Sequence, residues 1–296
     1  EDVFALQDTV ANAVASQIEP SIQAAEVRRA TTRPTADPGA YDLYLRGLHA
    51  QLGVYEKHPL QTAIDFFEQA IERDPEFGLA LAHASNAHIN MYIQSETDHP
   101  DVSRQKAFEL AKRAERLGTS DAEVLAFAAY SLFQCGTDMP VVDGLMTRAL
   151  EMNPGSSVVR YNSGWMYAFA CRPEAALAEF EKGLRLDPRP PWWGALTLGS
   201  GWSLFHLRRF EEALPLIYKT MDLAQPELAR KLIAACHGHL GRFDEGKLML
   251  KGVDQNGSRE VVWLSLYRDR SFRAVLDEGL ARVATHPNTD GAIDVN

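Results

Sequence analysis

The chain of 296 residues contains little cysteine, only Cys135, Cys171 and Cys236, and these lie far apart. An odd number of distant cysteines argues against a disulfide framework and indicates a reducing compartment, so we expect a cytoplasmic protein. Long apolar runs are also missing, and the mean hydropathy is −0.24. No stretch approaches the roughly 18 apolar residues that a membrane span needs, and we expect no membrane contact.

Basic residues are too few to balance the acidic ones. The chain has 30 Lys and Arg against 40 Asp and Glu, which gives a net charge of −10 and an isoelectric point near 5.4. Such a surface repels the phosphate backbone of nucleic acids and the anionic headgroups of membranes. We therefore expect neither nucleic acids nor membranes as partners of this chain.

Catalytic signatures are missing as well. The sequence has no glycine-rich phosphate loop and no nucleophile elbow, so we predict no enzyme and no cofactor within this chain. Residues 236–239 (Cys-His-Gly-His) bring ligand-type side chains together. On a helix Cys236 and His239 are neighbours but His237 points away, and two ligands make a poor zinc site. We predict that these residues pack between helices, with no metal.

A repeated spacing runs along the chain, and its clearest copy extends from Pro154 to Pro188, a period of 34 residues. In this copy Ala176, Phe180, Gly183 and Pro188 stand at 0, +4, +7 and +12. The same spacing recurs, with looser matches towards the C-terminus, in Ala63, Phe67, Ala70 and Pro75; Ala107, Ala111, Ala114 and Thr119; Val142, Met146, Ala149 and Pro154; Ala213, Ile217, Thr220 and Gln225; and Gly246, Leu250, Val253 and Ser258.

The spacing has a direct physical interpretation as pairs of helices. Residues at 0, +4 and +7 share one helical face, and the proline at +12 cannot extend a helix and ends it. A small residue precedes the origin by 12 at Gly164, Gly201 and Ala234, where it lets the first helix of a pair approach the second closely. Each pair leaves an apolar face that only a neighbouring pair can bury, which predicts a stacked solenoid.

These residues resemble the tetratricopeptide repeat family, over roughly residues 40–258. The resemblance implies an all-α fold, a right-handed α-solenoid of about six helix pairs with extra capping helices at both ends. We expect N-terminal helices within residues 1–30, the first of them an amphipathic helix over 3–18, and a breaker-rich linker over 31–39. C-terminal capping helices are expected within 259–285, followed by a tail over 286–296.

The N-terminal region suggests a longer parent protein. The chain starts at Glu1 with no methionine, and we expect it to be a piece of a larger chain. Residues 4–8 (FALQD) and 40–47 (AYDLYLRG) resemble the junction in bacterial signalling proteins, where a TolB-like region leads into a tetratricopeptide array. In those proteins the N-terminus carries a class III adenylate/guanylate cyclase or an OmpR-type winged-helix domain. The resemblance implies a sensory or scaffolding part of such a protein.

The candidate binding surface follows from the register of the repeat. In tetratricopeptide arrays the first helix of each pair lines a concave groove, and that face is aromatic in the middle units here. The predicted groove residues are Tyr130, Phe133, Tyr161, Trp165, Phe169, Trp202, Phe205 and His206. Such a surface suits an extended peptide or an amphipathic helix of a protein partner.

Several alternatives stay open at the level of sequence. The rings could pack between helices, or the helix expected at residues 3–18 could fold back and fill the groove, which would make the groove autoinhibited. The aromatic surface could also enclose a small molecule, which would make the chain a metabolite sensor. A dimerisation arm, with this chain forming a homodimer, is the third possibility.

Overall fold

The computed structural model describes the chain in seven stretches, and every secondary-structure element in them is a helix. The described residues are 35–51, 59–94, 96–118, 120–187, 192–221, 226–253 and 269–286. Several predicted regions lie outside these stretches: the helices expected within residues 1–30, the first part of the linker, the first part of the capping region 259–285 and most of the tail.

Twelve of the thirteen described helices form six successive pairs, which confirms the predicted architecture. The pairs are α1 (Pro38–Gln51) with α2 (Pro59–Arg73), α3 (Gly78–Ile93) with α4 (Pro100–Leu117), α5 (Ala122–Gln134) with α6 (Met139–Met152), α7 (Ser157–Phe169) with α8 (Pro173–Leu186), α9 (Trp193–His206) with α10 (Phe210–Tyr218), and α11 (Pro226–His239) with α12 (Phe243–Leu250). The thirteenth helix, α13 (Arg270–Thr285), follows the last pair.

The repeated spacing marks the core of every pair. The residues at the origin are buried in all six pairs, and Phe67, Met146 and Phe180 at +4 are fully buried. A Cβ added at Gly164 would lie 2.4 Å from the ring of Phe180, which shows why the small residue is needed. Gly201 stands in the same relation to Ile217, at 2.7 Å.

The first pair begins two residues before the predicted start at residue 40, because Asp37 caps α1. Its side chain accepts hydrogen bonds from the backbone N–H groups of Gly39 and Ala40. Arg73 at the end of α2 pairs with the same carboxylate, at 3.1 Å, and holds the pKa of Asp37 below its usual value. The last residues of the expected linker are therefore fixed to the first helix pair rather than free.

The curvature of the array follows from which helices meet. We call the first helix of each pair its inner helix and the second its outer helix. Each inner helix packs on the inner helix of the next pair, as α3 does on α5 and α5 on α7. Outer helices of successive pairs are not packed on one another in the described stretches. The inner helices are thus closer together, and they line the concave side.

Helix α13 closes the C-terminal end, as the capping prediction requires. It packs mainly on α11 and also on α12. The contact is close because two glycines meet: a Cβ on Gly238 would lie 2.0 Å from the carbonyl oxygen of Gly279. His239 also contacts α13, since its Nε2 lies 2.8 Å from the carbonyl oxygen of Val275.

Candidate binding groove

The direction of each side chain on the inner helices decides what lies in the groove. Arg160 and Gly164 face the outer helix of their own pair, and Gly199 faces that of the preceding pair. Successive residues of a helix advance by about 100°. Trp165 and Trp202 each follow a small residue, Gly164 or Gly201, by one position, so each points about 100° away from it. Trp165 also meets the ring of Phe180 on the outer helix edge-on, with centroids 5.4 Å apart.

The structure holds most of the predicted groove residues away from water. Six of them, Tyr130, Phe133, Trp165, Phe169, Trp202 and Phe205, are at most 6% exposed. Tyr161 and His206 are partly exposed. Most of these rings on α5, α7 and α9 are therefore buried rather than open to solvent.

The rings also contact one another and their neighbours in a defined geometry. Trp165 stacks on Phe169 with ring centroids 5.7 Å apart, and Tyr161 stacks on Trp192 at 5.4 Å. Trp202 lies 5.4 Å from His206. Offset-stacked rings of this kind add roughly 0.5–1.5 kcal/mol beyond the burial of their area, so the groove face is preorganised.

The C-terminal end of the groove is bounded by the capping helix. The ring of His206 lies 5.1 Å from that of Phe272 on α13. Phe205 packs edge-on against Phe210 at the start of α10, at 5.5 Å. The groove residues of α9 therefore connect the array to its cap.

Burial keeps the groove face uncharged near neutral pH. Desolvation lowers the pKa of His206 to about 3, so its imidazole is neutral at pH 7. It raises the pKa of Tyr161 to about 12 and that of Tyr130 further, so both phenols stay protonated. A face of neutral aromatic rings favours apolar surfaces and offers no charge to a nucleotide or a metal ion.

Sequence reasoning missed a polar cluster at the other end of the inner surface. His83 of α3 is 1% exposed, and its two ring nitrogens lie 3.2 Å from Oε1 of Gln51 and from Oε1 of Glu123. The same Gln51 donates to Asn86, which also accepts from Asn90. This cluster links α1, α3 and α5, and the detectable signal was polar residues on a helix that is otherwise apolar on every side.

The residues of the Cys-His-Gly-His stretch, 236–239, contact different parts of the array. His237 lies with Nε2 3.0 Å from the hydroxyl of Tyr218, on the outer side of the array. His239 and Gly238 face α13 instead. Within the described stretches no three His, Cys, Asp or Glu side chains are grouped as metal ligands.

Two surface depressions lie away from the aromatic residues. One of about 350 Å³ is lined by Leu45, Arg46, His49, Ala50 and Phe66 of the first pair. The other, of about 400 Å³, is lined by Asp101, Arg104, Gln105, Phe108 and Cys135. None of the predicted groove residues lines either depression, and both are open to solvent.

The similarity to known sequences is local. No family model matches the chain. A Rhizobium meliloti protein provisionally named adenylate cyclase 3 is 35% identical over 85 residues, which is 29% of this chain and 14% of that protein. The match thus covers a small part of the length of that relative.

The similarity to solved structures extends further along the chain. The APC/C hetero-tetramer Cut9–Hcn1 aligns over 81% of this chain and 46% of that one, with 14% identity and a TM-score of 0.54. A thermophilic TPR protein from Thermus thermophilus aligns over 68% of this chain and 98% of its own, with 18% identity and a TM-score of 0.47. At such identity the likeness to Cut9–Hcn1 concerns the fold alone, a helical-pair solenoid. Among the described helices, none has both the length and the apolar character that crossing a bilayer requires.

Proposed function

We propose that this chain is a non-catalytic protein-interaction module that binds a peptide or an amphipathic helix of a protein partner in its concave groove. One observation carries the proposal: three successive inner helices, α5, α7 and α9, each carry large aromatic side chains. Aromatic rings provide large contact areas at low cost in conformational entropy, and they are typical anchors of protein interfaces.

The biological setting that we infer is a bacterial signalling protein with a cyclase or a transcription-regulating output domain. The junction resemblance at residues 4–8 and 40–47 supports this setting, and so does the local identity with the Rhizobium meliloti protein. In such a protein, a partner bound in the groove shifts the activity of the output domain. The binding energy is the free energy available for that shift.

The alternatives make different demands on the structure. A small-molecule sensor requires a closed apolar cavity beside the rings, whereas the two depressions described above are open and lie elsewhere. A dimerisation arm requires an exposed apolar face. Tyr41 and Leu45 of α1 are 41% and 45% exposed, so substitutions at these two residues would test self-association.

The experiment compares two matched tyrosine substitutions in affinity capture from a lysate of the source organism. Tyr161→Ser removes a partly exposed groove ring, and Tyr218→Ser removes a ring of α10 that is 41% exposed on the outer side. We expect a protein retained by the parent chain to be retained by Tyr218→Ser and lost with Tyr161→Ser. Both rings are replaced by the same residue, so general loss of aromatic surface is controlled.

Circular dichroism and thermal unfolding of both variants establish that each remains folded before capture is compared. Equal retention by both variants would exclude the groove as the binding surface. Capture of no protein by the parent chain would contradict the interaction function itself and would favour a screen for small molecules.

A further inference from the structure

The inner helices carry a set of positions that face the preceding helix pair. These positions lie five, two and one residues before the small residue of each inner helix. On α9, a Cβ on Gly199 would lie 2.4 Å from the ring of Phe180 on α8, and a Cβ on Gly183 of α8 would lie 3.3 Å from Leu196. On α5, the ring of Phe127 lies 4.3 Å from that of His83 on α3. We call these three positions the stacking positions.

In the later pairs the stacking positions are closed to water and free of Asp, Glu, Lys and Arg. The residues at them are Leu79, Ala82 and His83 in α3; Val124, Phe127 and Ala128 in α5; Val159, Asn162 and Ser163 in α7; Leu196, Gly199 and Ser200 in α9; and Ala229, Leu232 and Ile233 in α11. Of these fifteen residues fourteen are buried, and Leu79 is half-buried. Burial at these positions is therefore a regular feature of the array.

Helix α1 differs at all three stacking positions. They are occupied by Asp42, Leu45 and Arg46, and all three side chains are exposed. Leu45 is 45% exposed, although its counterparts on the other inner helices are buried. No helix pair precedes α1 in the described part of the chain. We call this surface of α1 the first edge.

The composition of the first edge is that of an interface between separate molecules. A further helix pair stacked here in the usual way would bury the charges of Asp42 and Arg46, and burial of an uncompensated charge is costly. A purely polar cap would not expose Leu45 and, beside it, Tyr41, which is 41% exposed. Apolar side chains next to charges of both signs are typical of contacts between proteins that also exist apart.

We propose that the first edge joins two copies of this chain, with α1 packed antiparallel on the α1 of the second copy about a two-fold axis. In such a contact the same surface serves both copies, so it must be complementary to itself. Asp42 and Arg46 are one helical turn apart and 64% and 60% exposed. When the second helix runs in the opposite direction, each Asp42 faces the Arg46 of the other copy.

The charges are available for this exchange. Within one chain, Asp42 and Arg46 pair with each other at 3.0 Å, and an exposed pair of this kind contributes little to stability. The guanidinium of Arg46 also lies 6.0 Å from the centre of the Phe66 ring on α2, which holds it on the first edge. Exchanging the pair across the axis keeps every charge compensated.

The apolar residues require the same register as the charges. Residues 41, 45 and 48 form a stripe at helical spacing, and residues 42 and 46 form the stripe next to it. A two-fold axis between antiparallel helices brings each stripe against the same stripe of the other copy. With the axis at residue 44, position 42 lies opposite 46, and Tyr41 lies opposite position 47, between Leu45 and Leu48. Charge pairing and apolar packing therefore agree on one arrangement.

The size of the first edge indicates a weak contact. Helix α1 has 14 residues and is about 21 Å long. Two such helices bury well under about 1,200 Å² in total, the range of transient complexes. We therefore expect a reversible dimer that forms at tens of micromolar protein rather than an obligate one.

Sedimentation equilibrium of the chain over roughly 5–300 μM tests the contact. We expect the mean mass to rise with concentration from 32.9 kDa towards twice that value. Leu45→Glu should weaken the dimer at least about tenfold. Leu186→Glu is the matched control and should associate as the parent does, because Leu186 is also 45% exposed but lies at the end of α8. A parent chain that stays monomeric over the whole range, or equal association of both variants, would overturn the proposal.

A charge exchange tests the two-fold register. Asp42→Arg and Arg46→Asp each place like charges opposite one another across the axis, so each variant alone should dimerise about tenfold more weakly than the parent. An equimolar mixture of the two should form a heterodimer, because every facing pair is then of opposite sign. The double variant Asp42→Arg with Arg46→Asp should dimerise as the parent does. If mixing restores no association, the first edge is covered in another way, by another protein or another part of a longer chain, and the proposal falls.

This inference goes beyond the groove function and fails separately from it. The first edge belongs to α1, whereas the predicted groove residues lie on α5, α7 and α9. A monomeric Leu45→Glu chain that still captures a partner would leave the groove function intact. A dimer that captures no partner would leave the contact intact and contradict the groove function.

Discussion

At the scale of single residues, the turns inside the helix pairs share one backbone conformation. The second residue after the end of the inner helix has a positive φ in four pairs: Gly136 at 97°, Cys171 at 60°, Arg208 at 58° and Gly241 at 74°. In each turn its N–H and the next N–H return to carbonyls of the inner helix. This left-handed closure suits glycine, and two pairs adopt it without glycine.

Arg208→Gly should therefore stabilise the protein. A side chain in the left-handed region costs roughly 1–2 kcal/mol, and part of the gain is lost because glycine is more flexible in the unfolded chain. We expect the free energy of unfolding in urea to rise by about 0.5–1 kcal/mol. Arg208→Ala is the control, since it removes the weak 3.7 Å pair with Glu278 but keeps a Cβ. An equal change in both variants would mean that backbone strain is absent.

At the scale of elements, replacing a glycine should affect stability in opposite directions on an inner and on an outer helix. Gly164 lies against Phe180, and Gly199 lies against the same ring, where an added Cβ would also lie 2.4 Å away. Phe180 is fully buried and has no free direction in which to move. Gly144 in the middle of α6 is exposed, with nothing within 4 Å of an added Cβ.

Gly164→Ala and Gly144→Ala form a matched pair with opposite expected signs. Gly164→Ala should lower the free energy of unfolding by roughly 1–3 kcal/mol, because overpacking forces the buried ring to shift. Gly144→Ala should raise it by up to about 1 kcal/mol, the difference in helix propensity. Denaturant unfolding of both variants measures the two changes. A gain in stability with Gly164→Ala would show that the helices have room to separate.

At the scale of the whole molecule, each pair contacts mainly its neighbours, so stability should vary along the array. The C-terminal end depends on α13, whose Gly279 approaches Ala235 closely: an added Cβ would lie 2.6 Å from the carbonyl oxygen of Ala235. A disturbance at this contact should weaken the adjoining helices first. The distant pairs should be little affected.

Gly279→Val should detach α13 locally. We expect amide hydrogen exchange to become faster in α11, α12 and α13, while exchange in α1 to α4 stays as in the parent chain. Ala281→Val is the control, since Ala281 lies on the exposed face of the same helix. Faster exchange throughout the chain would mean that the array unfolds as one cooperative unit.

The sequence alone determined the architecture of this protein. The spacing of Ala176, Phe180 and Gly183, with its copies, predicts the helix pairs because burial on a helix follows a fixed angular period and proline ends a helix. Helix pairing is set by local geometry, so a pattern of a few dozen residues contains it.

Only the tertiary structure decided how far that concave side is covered. Whether Trp202 is open to a partner depends on what lies across it, and no local pattern contains that information. Polar residues on an apolar helix signal that His83 has partners, but no local pattern identifies them, since Gln51 and Glu123 come from other helices, 32 and 40 residues away in the chain. Burial and hydrogen bonding are properties of neighbours in space, and those neighbours are fixed when the helix pairs stack.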